Sequence, residues 1–168
     1  MISIPPSLFD PAARRRNVAK AQKLGSDLFL QTVASDEVED RLAMVNRDFT
    51  NVAIVTAFPE FWRQKFPNAF MVAEAETLDY GSQTFDIILH AMSLHWANDP
   101  VGQIIQCRNA LRPDGLILSI ALGGETLAEL RQCLHRAETE VRGGLSPRIS
   151  PMADLRQYGA LLQRAGLA

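Results

Sequence analysis

The strongest constraint on this chain is a set of apolar runs too uniform to be half-exposed strands. "NVAIVTAF", "TFDIILHAM" and "DGLILSIAL" are β-branched and aliphatic almost throughout, and "AFMVAEAETL" begins in the same way. A strand covered on one face alternates apolar with polar residues, whereas continuous apolar character marks a strand buried on both faces. Helical patterns separate the runs. "PEFWRQKF" follows the first, with Pro59 suited to the first helical position and Pro67 beyond its end, and "DPVGQIIQCRNALRP" follows the third. Strand–helix alternation of this kind implies right-handed crossovers and an open, mostly parallel α/β sheet of about four strands. The order should run second, first, third, fourth. That leaves "LILSIAL" at an edge, to be covered by a helix or paired in a homodimer.

In the helix from Asp99 the apolar positions Val101, Ile104, Ile105 and Leu111 should face inward. Two further helices are expected in "ETLAELRQCLHRAETEV" and "MADLRQYGALLQRAG", separated by the turn-rich "RGGLSPRISP". Ahead of the first strand, Pro11 to Ala34 reads as one or two helices. Ser35 or Asp36 can then cap another, with Val38, Leu42 and Val45 on its apolar face. The 168 residues suit one domain over 1–168, a helical segment over 1–48 leading into an α/β core over 49–168.

The net charge of −2 gives no general attraction to nucleic acid, and no apolar run is long enough for a membrane span or a secretory signal. Arg14, Arg15 and Arg16 with Lys20 and Lys23 form the one basic cluster, read as a solvated helix face or a grip for an anionic partner. Cys107 and Cys133 stand alone in helical patterns and are expected as buried, reduced thiols, which fits a cytoplasmic setting. His90, His95 and His135 are too far apart in pattern to make a metal signature.

From Phe85 to Gly166 the stretches "SLHWANDP", "LRPDGL", "GGETLAELR" and "GGLSPRISPMADLRQYGALLQRAG" resemble the class I S-adenosylmethionine-dependent methyltransferases. The similarity is to the group that includes the malonyl-carrier-protein methyltransferase of biotin synthesis. It is closer to the complex I assembly arginine hydroxylases and their α-proteobacterial relatives, whose N-terminal pattern "LFDPAARRR" and "EDRLAMVNRDF" also match. The resemblance implies a Rossmann-like fold with S-adenosylmethionine above the carboxyl ends of the first strands, and a protein partner or substrate. It places Glu74 where the family's acid accepts from the adenine amino group, beside Ala75 and with His90 closing the third strand. His95 and Trp96 fall on the loop beneath the methyl-transfer site, and Arg148 faces the cleft mouth.

A histidine at position 95 can serve as a general base or bind a metal, or simply pack as a satisfied neighbour of an anchoring Trp96. Ser93, two residues away, makes no triad by spacing alone. Gly123 and Gly124 either admit a substrate backbone or serve a strand-to-helix turn. Asp86 should sit at the start of its strand, away from the chemistry.

The chain departs from the family pattern in three places. The first strand ends in the glycine-free "TAFPEF" instead of an acidic, glycine-rich loop, so Phe58, Pro59, Glu60 and Phe61 should fill the cofactor loop. No strand remains to carry the acid that grips the cofactor ribose. The sequence ends at "LLQRAGLA", before the family's last two strands, which points to a truncated chain or a reduced fold. Charge-assisted hydrogen bonds are each worth about 1.5–3 kcal/mol, so losing two weakens binding by roughly two orders of magnitude or more. A degenerate cofactor site is the expectation.

Overall fold

The computed structural model describes residues 7–24 and 28–167. Its centre is one sheet of four parallel strands, β1 (Val52–Thr56), β2 (Phe70–Ala73), β3 (Phe85–Ala91) and β4 (Leu111–Ile120), in the order β2-β1-β3-β4. This is the Rossmann-like arrangement and strand order expected from the apolar runs. All seven residues of β3 are buried, as its unbroken apolar sequence requires.

Helices cover both faces. On one, α4 (Pro100–Ala110) packs Cys107 and Ala110 against Ala53, Val55, Val72, Phe85 and Ile88. On the other, α2 (Phe29–Met44) and α3 (Pro59–Lys65) pack Ala34, Val38 and Trp62 against Ile54, Ile87, Leu89 and Ala91. Trp62 is fully buried, and its indole N–H donates to Gln31 Oε1 at 2.9 Å, so the one polar atom of a large core side chain is satisfied. The N-terminal α1 (Pro11–Lys23) is capped by Asp10, which accepts from the Ala12 N–H at 2.8 Å.

At the start of the sheet, Asp86 accepts from the Thr50 and Asn51 N–H groups, the Thr50 hydroxyl and the Arg112 guanidinium at 2.7–3.1 Å. The backbone donor of Asn51 and the hydroxyl of Thr50 hold its carboxyl well below the usual carboxylate range. It ties the entries of β1, β3 and β4 together, remote from the strand tips.

Several local expectations need correction. Ser35 and Asp36 do not cap a helix: α2 runs through them, because Gln31, Ala34, Ser35 and Val38 form one continuous buried face. The Ser35 hydroxyl instead donates to the Thr32 carbonyl. Residues 25–27, within the helical reading of 11–34, lie outside the described residues. The second strand is only Phe70–Ala73, since Glu74, Ala75 and Glu76 turn toward α1 and α4. Leu111 leaves its helix to open β4, which starts before the Pro-Asp-Gly turn. The turn survives as a bulge. Phe85 pairs with Leu111 and Ile87 with Leu116, while Asp114 takes a positive φ of 63°. Cys107 is buried beside the Tyr80 hydroxyl, as expected of a structural thiol, but Cys133 is exposed.

After β4 the chain turns into α5 (Ala128–Arg142) and then α6 (Leu155–Arg164), which packs Tyr158, Leu161 and Leu162 toward Leu94 and Ile104. The glycines at this turn serve packing. A Cβ at Gly123 would sit 2.5 Å from the Ala153 carbonyl oxygen, and the Gly124 N–H donates to that same oxygen at 2.9 Å. Arg148 is held by the buried Glu138, which also accepts from Ser146, so its charge is already paired. Gly123→Ala should therefore cost about 1–3 kcal/mol of stability, the usual cost of overpacking. Gly144→Ala, with open space around it, should change it by less than about 0.5 kcal/mol. Urea denaturation of both variants checks this.

Candidate functional site

The carboxyl ends of the strands form a cleft on which α1 and the 3₁₀ turn Leu94–Trp96 close. Its organising contact comes from α1. Arg14 grips Glu74 through two parallel bonds, Nε to Oε1 at 2.8 Å and Nη2 to Oε2 at 3.0 Å, and its guanidinium lies 4.7 Å above the centre of the Trp96 ring. The planar fork of arginine suits both tasks at once. Trp96 also receives the edge of Phe9 at 5.3 Å between ring centres, and the Asn98 side chain bonds the backbone of Leu8 and Phe9. The N-terminal segment is thus fastened over the strand tips.

Glu74 and Ala75 do come together, as the resemblance implied. They line a cavity of about 310 Å³ with Phe9, Ser93, Trp96 and Gln103. His90 is near but beneath it. Fully buried, it meets Gln103, whose amide nitrogen donates to the Ala75 carbonyl at 2.8 Å. The Gln103 oxygen is then left to accept from His90 Nε2, also at 2.8 Å. His90 therefore braces the loop carrying Ala75 from below, and its Nδ1 has no partner among the described residues.

His95 and Trp96 line a second cavity, of about 270 Å³, whose walls include Phe58, Met92 and Leu122. His95 is 8% exposed, and its Nδ1 accepts from the Leu122 N–H at 3.4 Å. Burial, then the Arg14 charge, then His90 push its pKa down to about 4. At neutral pH the ring is uncharged with its proton on Nε2. His95 thus presents an N–H donor, which does not fit a general base, one of the roles its position allowed. No group of three or more His, Cys, Asp or Glu residues gathers for a metal among the described residues.

The turn from β1 to α3 was expected to be plugged. Phe58 and Phe61 are partly buried against the core, but Phe58 walls the second cavity and leaves it open. The backbone donors of this turn are depleted. Pro59 has none, and the Phe58 N–H is taken by the Thr56 hydroxyl at 3.0 Å. Glu60 adds a negative charge, paired outward with Arg63. With the Glu74 charge offset by Arg14 and the turn's backbone donors depleted, the residues present do not fit S-adenosylmethionine in the arrangement that the family resemblance implies. Sequence reasoning missed Arg14, Gln31 and Gln103. The i+4 recurrence of Arg14, Val18 and Gln22 was the available signal, because it sets Arg14 on the inward stripe of α1.

Burial also lowers the pKa of His90 to about 4. A histidine depressed from about 6.5 in the unfolded chain contributes stability that is complete above that value and lost as pH falls toward the folded value. The chain should lose stability between about pH 6.5 and 4, on the order of 3 kcal/mol per histidine. Urea midpoints across that range check this, and His95→Phe should flatten the slope.

Comparison with known proteins places this geometry in a family. Residues 16–119 match the type 11 "Methyltransferase domain" family. The chain is 42% identical over 102 residues to the human protein named arginine-hydroxylase NDUFAF5, mitochondrial, a match covering 61% of this chain and 30% of that protein. It is 31% identical over 103 residues to the putative methyltransferase RP459 of Rickettsia prowazekii, covering 60% of this chain and 45% of the other. With the malonyl-[acyl-carrier protein] O-methyltransferase of Xylella fastidiosa it shares 34% identity over 96 residues, 57% of this chain and 30% of the relative. These matches span less than half the length of each of the three relatives. Among solved structures it is similar to the plantazolicin methyltransferase BpumL in complex with SAH, with a TM-score of 0.49 at 12% identity, covering 92% and 82% of the two chains. The chain belongs to the type 11 methyltransferase domain family.

Proposed function

We propose that this chain is a methyltransferase-family domain with a degenerate cofactor site, which acts by binding a protein partner. By resemblance to the arginine hydroxylases, that role is in respiratory complex I assembly. One observation carries the first part. The carboxylate expected to meet the adenine is already held by two bonds from Arg14. Arg14 takes one lone pair on each oxygen and offsets the charge, so a ligand amine would meet only the remaining lone pairs of a carboxylate whose charge is already compensated. The β1–α3 turn adds to this, since Pro59 and the Thr56–Phe58 bond remove two of the N–H groups that an anionic ligand end would use.

A competing reading keeps catalysis, as methyl transfer or arginine hydroxylation with a relocated cofactor. It is favoured by the 310 Å³ cavity that persists beside Glu74, Ala75 and Trp96. Calorimetry separates the two. Under the proposal, S-adenosylmethionine and its demethylated product bind with dissociation constants no tighter than about 1 mM. Micromolar binding of either by the unmodified chain would establish a working site and overturn the degenerate one.

A further inference from the structure

The cavity above His95 has a chemistry of its own. Leu30, Phe58, Met92, Leu122 and the Trp96 ring give it apolar walls, and Phe29, 60% exposed, stands at its lip. The polar side-chain groups that line it are donors. His95 has its Nδ1 committed to the Leu122 N–H, which fixes the ring proton on Nε2, and Nε2 has no hydrogen-bond partner among the described residues. Gln31 has its amide oxygen committed to the Trp62 indole, so its NH₂ group is what remains. Arg14 lines the cavity too, but its charge is matched by Glu74 through the two-bond pair. The wall therefore offers neutral N–H donors and no unpaired cation.

We infer that this cavity binds a small apolar ligand, an acyl ester or amide, whose neutral carbonyl oxygen accepts from the His95 Nε2–H with support from the Gln31 amide. An unpartnered N–H donor on a residue lining an apolar pocket discriminates strongly, because a ligand without an acceptor leaves that donor desolvated and unpaired. A carboxylate is disfavoured, since its charge would enter an apolar pocket whose only cation is already paired. The volume of about 270 Å³ falls just below the range of roughly 300–1,000 Å³ typical of drug-sized ligands, which limits the occupant to a short chain. Nothing in this inference uses S-adenosylmethionine, so it stands or falls separately from the degenerate-site proposal.

The test compares methyl octanoate with octyl methyl ether, a probe of the same reach without the carbonyl, on the whole chain in the absence of S-adenosylmethionine. Binding is followed by NMR of ¹⁵N-histidine-labelled protein. The ester should bind at least about tenfold more tightly than the ether, about the discrimination that 1.4 kcal/mol provides, and should shift the His95 ring nitrogens. In His95→Phe, which keeps a ring in the wall, the ester should fall to the affinity of the ether. Equal affinities in the unmodified chain, tighter binding of octanoate than of its ester, or binding that leaves the His95 signals unmoved would each overturn the assignment. The ratio in the unmodified chain needs no variant, so the test survives if His95→Phe folds poorly.

Discussion

Everything in this structure follows from the need to dry both faces of a short parallel sheet. β3 is buried along its whole length, and a strand with water on neither side needs a helix on each. The crossovers supply α4 on one face. The other face has only the seven-residue α3 from within the sheet's own connections, too little to cover Ile54, Ile87 and Leu89. The N-terminal α2 completes that layer, and its Gln31 meets the Trp62 indole at the seam. Using N-terminal helices as a wall brings α1 across the strand tips, and this sets the form of the cleft.

There the decisive partner is Arg14. It offsets the charge of Glu74, covers Trp96 and adds to the burial that lowers the basicity of His95. It also divides the opening, lining both the cavity beside Glu74 and the one above His95. The histidine pair works by the same logic from below. His90 and His95 are both kept neutral by burial, and their hydrogen-bond partners fix the proton on Nε2. Neutral, directional donors in place of charges suit recognition of an uncharged group better than proton abstraction.

β1 and β3 were legible in the sequence because burial on both faces leaves an unbroken apolar run, and strand order followed from the connections; β4 reads the same way, yet none of its residues is buried. The helix starting at Pro59 was legible from its proline, and Asp86 was correctly set at a strand start. What the sequence did not reveal depends on contacts between distant segments. Arg14 and Glu74 are 60 positions apart, and in the sequence Arg14 is one of three adjacent arginines. Ser35 and Asp36 carry good capping chemistry, yet continued burial of one α2 face overrode that local preference. Arg148 was set at the cleft mouth because its pairing with Glu138, ten positions back in a separate helix, leaves no mark in the local sequence. Local signals gave the elements, whereas long-range pairing decided which polar groups were free to act.

The strand order also governs how the chain can fold. Each neighbouring pair in a β2-β1-β3-β4 sheet is joined through a crossover, and β1 must wait for β3 until a helix, a strand and a loop have been made between them. No hairpin is available to nucleate, so loop closure precedes any reward from pairing, and such topologies fold slowly. The β1–α3–β2 unit has the shortest link, only one seven-residue helix and its turns, and is the natural starting point. β1, made first, waits longest with one apolar edge unpaired, until β3 arrives. During synthesis it is therefore the segment most in need of protection from aggregation.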